Sequence, residues 1–363
     1  MSFSLEIIRV SLGERSYPIE IGSGNLADVG RFLSTLGGAD HVALITDSNV
    51  EPLFAAAVGA SFAEFDVEVD LLVVEAGEPS KSAAVADSLW QKMLELGADR
   101  KTIVAALGGG VIGDLAGFIA ATYARGLRFL QIPTTLLAQV DSSVGGKVGI
   151  NLPGAKNMVG AFWQPLGVLI DTEVLSRLPR REFISGLAEV VKYGVILDAD
   201  FFAYLESHVA ELNARQPEAL RHVIARSCRL KADVVEADER ETSGGRAVLN
   251  YGHTFAHALE TVSGYGELLH GEAVSIGMMC AARLAERMGR IDADFVRRQQ
   301  SLLESLGLPT KLPAADADEL LEVMSRDKKS ESGRLRFVLP TRLGQVELVG
   351  DVDEDDARAA LST

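Results

Sequence analysis

The stretch TIVAALGGGVIGDLAGFIAAT (102–122) joins a short apolar run to a helix-like run through the glycines at 108–110. A continuous apolar run of this length, ended by glycine, is typical of a buried strand in a parallel sheet. Glycines let the backbone approach a bound group closely, and the N-terminus of the following helix favours an anion. The stretch therefore predicts a strand, a phosphate-binding turn and a helix.

The run from Gly108 to Asp114 differs from the usual dinucleotide fingerprint. It does not follow the GxGxxG spacing, and the acidic residue expected about 20 residues later is missing. Asp47, at the end of an earlier predicted strand, could accept a hydrogen bond from a ribose hydroxyl instead. Taken alone, the stretch leaves a purely structural turn as the alternative.

Strand-like and helix-like runs alternate through the first half of the chain. The strand-like runs lie at 41–46, 69–75, 102–107, 127–133 and 168–175, and the helical ones near 51–60 and at 80–96, 112–124 and 135–141. Such alternation favours parallel strands joined by right-handed crossovers, with ligands at the carboxyl ends of the strands. We predict an α/β, doubly wound, Rossmann-like domain over 1–175.

The second half of the chain is mostly helical. After Leu178-Pro179-Arg180 the pattern is helical from 181 to about 308, and a hairpin follows at 334–340 and 345–350. A chain of 363 residues is long for one hydrophobic core, which favours two domains. We predict a mostly α-helical domain over 176–363.

The composition excludes several classes of protein. A formal net charge of −16 argues against nucleic acid or an anionic membrane as partner, because both need a cationic surface. The N-terminal residues lack the pattern of a signal peptide, and the most apolar window, 107–126, contains Asp114 and several glycines. We expect a cytoplasmic protein in which Cys228 and Cys280, which have no CxxC spacing, are reduced and buried.

Three of the six histidines fall in NYGHTFAHALETVSGYGELLHGE (250–272). His253 and His257 are four residues apart, so on a helix they share one face, and His270 opens the next helical run. Neutral imidazole is a common zinc ligand, and catalytic zinc usually keeps three protein ligands and an open position. The cluster predicts a metal site, with capping or core histidines as the alternative.

Charged residues on apolar helices supply further candidates. In FISGLAEVVKYG (183–194), Glu189 and Lys192 are one turn apart, and an unpaired buried carboxylate is costly. Glu189 is a candidate metal ligand, whereas an exposed Glu-Lys pair is the alternative. Just before His253, the segment 231–250 contains further polar residues, which a solvated loop would also explain. They are Lys231, Glu239, Glu241, Arg246 and Asn250.

A second glycine-rich stretch is QIPTTLLAQVDSSVGGKVGIN (131–151). Thr134 and Thr135 follow a predicted strand, and Lys147 follows two glycines on a predicted tight loop. The spacing does not match a P-loop, which disfavours nucleotide hydrolysis. With Lys156-Asn157 nearby, the stretch indicates a small phosphorylated ligand, although surface lysines are the alternative.

Taken together, these blocks resemble the 3-dehydroquinate synthase family in order and spacing, from residue 13 to 329. The matching blocks are GGGVIGDLAGF, PTTLLAQVDSSVGGK, KNMVGAF, GLAEVVKYG, KADVVEADERE, NYGHTFAHALE and LHGEAVSIGM. The resemblance implies a dehydroquinate synthase-like fold and conversion of 3-deoxy-D-arabino-heptulosonate 7-phosphate to 3-dehydroquinate and phosphate, in the shikimate pathway. It also implies catalytic NAD+, one divalent metal, zinc or cobalt, and a homodimer.

The resemblance also implies roles for individual residues. The implied metal ligands are Glu189, His253 and His270, with His257 left for the substrate phosphate. The implied catalytic residues are Asp141, Lys147, Lys192, Lys231, Glu241, Arg246, Asn250 and His257. The implied substrate-binding residues are Asn157, Lys328 and, from a neighbouring subunit, Arg125. The implied NAD+ residues are Asp47, Gly77, Glu78, Lys81, Gly109, Gly110, Val111, Gly113, Asp114, Thr134, Thr135, Lys147 and Lys156.

One departure from the family pattern is visible, and three other functions compete. ERETSGGR has one residue more before Arg246 than the family's ERETGLR form, which affects the geometry from Glu241 to Arg246. A glycerol-type dehydrogenase would have little use for Lys231, Arg246 or Lys328. Cyclases that make aminocyclitol or valiolone-type products would not need residues for a substrate carboxylate. A catalytically dead metal-binding protein would have lost charged site residues, and none is missing.

Overall fold

The computed structural model describes residues 5–264, 267–313, 316–327, 335–350 and 352–361. The chain forms two compact units: Met1–Leu178 with Leu220–Arg240, and Pro179–Ala219 with Glu241–Thr363. The sequence predicted one boundary, between 175 and 176. It did not predict that 220–240 would pack within the first unit. This packing depends on contacts between residues far apart in the sequence.

The strands are β1 (Glu6–Val10), β2 (Tyr17–Gly22), β3 (His41–Asp47), β4 (Glu68–Val74), β5 (Ile103–Gly108), β6 (Arg128–Pro133), β7 (Lys147–Leu152), β8 (Ala155–Phe162), β9 (Gly167–Asp171), β10 (Phe337–Arg342) and β11 (Gln345–Val349). The helices are α1 (Val29–Thr35), α2 (Ala56–Ala63), α3 (Ala83–Glu95), α4 (Gly110–Thr122), α5 (Arg180–Leu197), α6 (Ala199–Ser207), α7 (Val209–Asn213), α8 (Pro217–Ala237), α9 (His253–Val262), α10 (His270–Arg287), α11 (Ala293–Ser305), α12 (Ala317–Asp327) and α13 (Glu354–Leu361). Short helical turns include Glu51–Ala55, Glu78–Ser80, Tyr123–Arg125, Ala138–Ser142 and Gly245–Asn250.

A seven-stranded sheet forms the centre of the first unit, in the order β1-β2-β9-β6-β5-β3-β4. All neighbouring pairs are parallel except β1 and β2 at one edge. Every residue of β5 and β9 is buried, as expected of strands covered on both faces. The predicted doubly wound α/β fold is therefore confirmed.

The apolar faces of α3 and α4 pack on the sheet and fix the start of α4. Ile45, Val104, Leu115, Ile119 and Phe129 belong to one buried cluster formed by β3, β5, β6 and α4. Because these side chains lock α4 against β5, its first turn lies directly beyond the carboxyl end of that strand. The predicted strand, turn and helix at 102–122 match β5 and α4.

The hairpin of β7 and β8 was not predicted. Its strands pair antiparallel, with Gly149 opposite Gly160, and Lys147 begins β7 rather than lying on a loop. Glycine normally weakens a strand, so the sequence pattern favoured turns here. A Cβ on Gly160 would lie 2.2 Å from the Val148 carbonyl oxygen, which explains why two strands this close need glycine.

Helix α10 is the centre of the second unit. It contacts α5, α9, α11, α13 and β10. Its residues from Ala273 to Ala282 are all buried, as expected of a helix that is apolar on every face. The predicted late hairpin matches β10 and β11, which pair antiparallel. Among the described residues, no helix is long and apolar enough to span a bilayer.

Candidate functional site

Four neighbouring parallel strands of the first unit end at one edge of the sheet. Asp47 ends β3, Gly108 ends β5, Thr134 follows β6, and the segment Gly77–Lys81 follows β4. The backbone N–H of Thr134 donates to the Gly108 carbonyl at 2.9 Å, so the ends of β5 and β6 touch. The structure thus brings the predicted NAD+ segments to the edge where doubly wound sheets bind ligands.

The first turn of α4 has the properties of an anion site. Gly109 is its N-cap, and no side chain of the described residues caps it, so the first N–H groups have no partner within the helix. The Thr134 hydroxyl beside this turn is buried and has no hydrogen-bond partner among the described residues. Cβ atoms on Gly109 and Gly110 would lie 3.0 Å from Thr135 and Ser142. These features fit a dinucleotide phosphate.

A polar cluster extends from this edge to the β7–β8 hairpin. The buried Lys81 ammonium donates to Asp114 Oδ2 at 2.6 Å and to Asn157 Oδ1 at 2.5 Å. Burial raises the pKa of Asp114, and the neighbouring Lys81 charge opposes that rise. Lys81 therefore links α4 to the hairpin that carries two further predicted residues, Lys156 and Asn157.

Other predicted residues of the first unit occupy separate turns. The Asp47 carboxylate accepts from the backbone N–H groups of Asn49 and Val50, at 2.9 and 3.1 Å, and so forms a turn of its own. Arg125 lies in a turn with left-handed φ, and its predicted contact with a second subunit stays a prediction. The Lys231 ammonium donates to both the backbone carbonyl and Oδ1 of Asp141, each at 2.8 Å, which joins α8 to the turn after β6.

The second unit brings Glu189, His253 and His270 together. One ligand atom from each lies within 4.8 Å of the other two. The Nε2 atoms of His253 and His270 lie 3.6 and 3.7 Å from the same Glu189 oxygen, too far for hydrogen bonds. Ligand atoms about 2.1 Å from a tetrahedral metal lie about 3.4 Å apart, so the spacing fits a zinc-like ion.

The environment of these side chains also fits a divalent metal. Glu189 is 1% exposed and forms an ion pair with Lys192; no other group of the described residues donates to its oxygens. Burial lowers the pKa of His253 well below its usual value, and the Lys192 charge lowers it further. Nδ1 of His253 faces the Tyr251 carbonyl at 3.2 Å, which leaves Nε2 as the ligand atom. Neutral imidazole beside a buried carboxylate is a metal-binding arrangement.

Close helix contacts build this cluster. A Cβ on Gly271 would lie 1.8 Å from the Ser185 carbonyl oxygen, so only glycine lets α10 approach α5 next to His270. A Cβ on Gly277 would lie 2.2 Å from the carbonyl oxygen of Gly252, the residue before α9. These two contacts set the separation of the three helices that carry the ligand atoms.

The remaining predicted residues of the second unit lie around the same helices. The exposed His257 ring is one turn from His253, with ring centroids 5.6 Å apart, and is not part of the three-residue group. Arg246 is buried, with Nε 3.5 Å from Glu241 Oε1, so the extra residue in this turn keeps the two side chains adjacent. Asn250 is exposed at the end of Gly245–Asn250. Lys328 lies outside the described residues.

Sequence reasoning missed Glu260 near the metal ligands. This glutamate is 8% exposed on α9, and its Oε1 lies 3.6 Å from Nδ1 of His270. Burial lowers the pKa of His270, but the Glu260 and Glu189 carboxylates outweigh it and raise that pKa. The sequence signal that could have identified Glu260 is its position one turn after His257 on an apolar helix.

Comparisons with known proteins agree with this arrangement. The family models for the N-terminal and C-terminal parts of 3-dehydroquinate synthase match residues 71–185 and 186–330. The 3-dehydroquinate synthase of Rhodopirellula baltica is 52% identical over 99% of this chain and 98% of its own.

Two solved synthases have a similar structure. One is 2-epi-5-epi-valiolone synthase from Streptomyces hygroscopicus subsp. jinggangensis 5008 with NAD+ and Zn²⁺ bound, at a TM-score of 0.88 and 30% identity over 97% of both chains. The other is 2-deoxy-scyllo-inosose synthase with carbaglucose-6-phosphate, NAD+ and Co²⁺, at a TM-score of 0.90 and 28% identity over 98% of this chain and 99% of that one. Identity above one half along nearly the whole chain decides between these relatives: the chain belongs to the 3-dehydroquinate synthase family.

Proposed function

We propose that this chain converts 3-deoxy-D-arabino-heptulosonate 7-phosphate to 3-dehydroquinate and inorganic phosphate, a carbon–oxygen lyase reaction of the shikimate pathway. The observation that carries the proposal is the group formed by the buried Glu189 and the partly buried His253 and His270, in a chain of this family. A dehydrogenase function is disfavoured because the family match covers both halves of the chain.

The proposed cofactors fit the donor sets of the two units. Glu189, His253 and His270 would hold the divalent metal, and the strand ends of the first unit would hold NAD+. When bound, the metal supplies polarisation of substrate hydroxyls and NAD+ supplies reversible hydride acceptance. The proposed NAD+ residues are those predicted from the sequence: Asp47, Gly77, Glu78, Lys81, Gly109, Gly110, Val111, Gly113, Asp114, Thr134, Thr135, Lys147 and Lys156.

Charged side chains of the second unit supply the proposed substrate contacts. Lys192 and His257 would bind the phosphate and stabilise the charge that grows as it leaves. Lys192 is only 2% exposed, so its charge is poorly screened by water. Arg246 presents a planar fork that matches a carboxylate, and the Glu241 carboxylate lies 3.5 Å from its Nε. Asn250 adds amide donors and acceptors.

The first unit supplies the other proposed substrate residues. The two hydrogen bonds from Lys231 to Asp141 fix the ammonium as a point charge. Lys147 and Asn157 belong to the β7–β8 hairpin, and Asn157 is fixed by Lys81. Arg125 is proposed to act from the partner in a homodimer, and Lys328 from outside the described residues.

A phosphate-release assay tests the proposal. The purified chain, given the seven-carbon sugar acid phosphate, NAD+ and Zn²⁺, should release one phosphate per substrate, and a chelator should abolish the release. Because the hydride is returned within each turnover, absorbance at the nicotinamide band should stay flat. NADH formed in step with product would support a dehydrogenase instead, and absence of phosphate release would refute the proposal.

A further inference from the structure

The side chain of Asn151 joins the β7–β8 hairpin to the segment Gly77–Lys81, and it has no role in the reaction proposed above. Asn151, near the end of β7, is half-buried. Its Nδ2 donates to Glu78 Oε1 at 2.7 Å. Its Oδ1 accepts from the backbone N–H of Asn157 at 2.7 Å. One amide therefore contacts both a proposed NAD+ residue and a proposed substrate residue.

The backbone of Asn151 belongs to the same junction. Its N–H donates to the Lys81 carbonyl at 2.8 Å, and Lys81 Nζ reaches back to Asn157 Oδ1 at 2.5 Å. Asn151 and Lys81 thus hold Asn157 from its N–H and from its side chain. A rigid pair of contacts of this kind specifies the position of the residue that both of them bind.

Asn157 needs such support because of its conformation. Its φ is 56°, in the left-handed region, which asparagine adopts more readily than most non-glycine residues but still at a cost relative to extended backbone. The acceptor provided by Asn151 satisfies the N–H that this conformation turns towards β7. Without it, we expect Asn157 to relax to ordinary extended backbone and to carry its amide away from the proposed substrate position.

We propose that Asn151 is a positioning residue that fixes Asn157 for the sugar phosphate and Glu78 for NAD+ through the two ends of one amide. The inference rests on the proposed function, because it assigns those ligands to the two segments. Asn151 is not among the residues that the family resemblance implies. Its Nδ2 would act on NAD+ binding through Glu78, and its Oδ1 on substrate binding through Asn157.

A double-mutant cycle tests the substrate end. Asn151→Ala should raise KM for the sugar phosphate, with kcat/KM falling about two- to tenfold, the loss expected when the one hydrogen bond to the Asn157 N–H is removed. In an Asn157→Ala background, Asn151→Ala should raise that KM no further. Additive effects of the two substitutions on KM would overturn the substrate half of the inference.

Asn151→Asp separates the two ends and avoids a cavity. The carboxylate keeps an acceptor for the Asn157 N–H but repels Glu78. We therefore expect a weaker NAD+ Kd with KM for the sugar phosphate close to wild type. In a Glu78→Gln background, Asn151→Asp should weaken NAD+ binding much less than it does with Glu78 present, because the amide introduced at 78 can donate to the new carboxylate. An equal loss of NAD+ affinity in both backgrounds would overturn the cofactor half.

Two controls make the outcomes distinguishable. Asn213→Ala removes another asparagine whose Nδ2 donates one hydrogen bond, to the Ser305 carbonyl in the second unit, and should leave NAD+ Kd and KM unchanged. If wild type releases no phosphate, both the proposed function and this inference fail. If wild type turns over and the Asn151 and Asn157 effects add, only the inference fails.

Discussion

The two units prepare their sites in opposite ways. At the start of α4, the first unit presents mainly backbone: glycines, uncapped N–H groups and the buried hydroxyl of Thr134. The second presents charged side chains inside packed helices, with Glu189, Lys192 and Arg246 all at most 3% exposed. A site formed by backbone N–H groups needs room for the ligand to approach the chain. A site formed by buried charged side chains needs oppositely charged partners, since an uncompensated buried charge is strongly destabilising. The two sites should therefore respond differently to substitution.

The largest expected effect comes from a metal ligand. His270→Ala should lose bound metal and reduce turnover by about a thousandfold or more, because polarisation by a metal is worth several kcal/mol at about 1.4 kcal/mol per decade. His257→Ala, on the same helical cluster but outside the three-residue group, should lose activity and keep one metal per chain. Elemental analysis checks both. Full metal occupancy in His270→Ala would rule out the ligand assignment.

Arg246→Ala tests whether a buried cation of the second unit recognises the substrate carboxylate. Hydrogen bonds to charged groups contribute roughly 1.5–3 kcal/mol, so kcat/KM should fall by about ten- to several-hundredfold. An analogue with a hydroxymethyl group in place of the carboxylate should bind wild type poorly. Its affinity should be nearly the same for Arg246→Ala as for wild type, because the group that Arg246 would bind is already absent. Simple addition of the two losses would mean that Arg246 does not contact the carboxylate, and would favour another sugar-phosphate cyclase.

A pair of glycine substitutions compares the two units directly. Gly271→Ala forces a Cβ into the Ser185 backbone and should lower the free energy of unfolding by about 1–3 kcal/mol, with weaker metal binding. Gly110→Ala meets only the Ser142 side chain, whose hydroxyl can rotate, so NAD+ binding should weaken with a smaller stability change. Denaturant midpoints and NAD+ titration check the pair. Equal stability losses would remove the contrast between the units.

The smallest effect is expected at Thr134. Because its buried hydroxyl has no partner among the described residues, Thr134→Val should leave the free energy of unfolding within about 0.5 kcal/mol of wild type. The NAD+ Kd should rise about two- to tenfold, the loss of one hydrogen bond of roughly 0.5–1.5 kcal/mol. A clear stability loss with unchanged NAD+ affinity would show that the hydroxyl serves the fold instead.

The sequence predicted the central strands β3 to β6 better than the rest; β1 and β2 at the edge of the sheet and the hairpin strands β7 and β8 were not predicted. β3 to β6 begin and end within about two residues of their predicted runs, because buried parallel strands are continuous apolar segments bounded by breaks. β7 and β8 were missed because Gly149 and Gly160 face each other across the pair, where the chains are too close for side chains. A local pattern cannot distinguish such glycines from those of a turn.

The site shows the same division. Residue types and spacing suggested that Glu189 and the histidines form one cluster, and the structure brings three of them together and leaves His257 exposed beside them. Glu260 and Asn151 were missed, because a single acid on a helix and a single asparagine in a strand have many ordinary explanations. Their partners, His270 in one case and Glu78 with Asn157 in the other, become neighbours only in the folded chain.

The sequence by itself determined the central parallel strands and the residues able to bind metal or phosphate, because apolar periodicity and residue chemistry are local properties. The order and spacing of its motifs carried the family resemblance. The tertiary structure decided which of those residues meet. Contacts at Gly271 and Gly277 set the distances between the ligand-bearing helices. The packing of 220–240 within the first unit brings Lys231 to Asp141. Distances of this kind depend on contacts between segments far apart in the chain, which no local pattern contains.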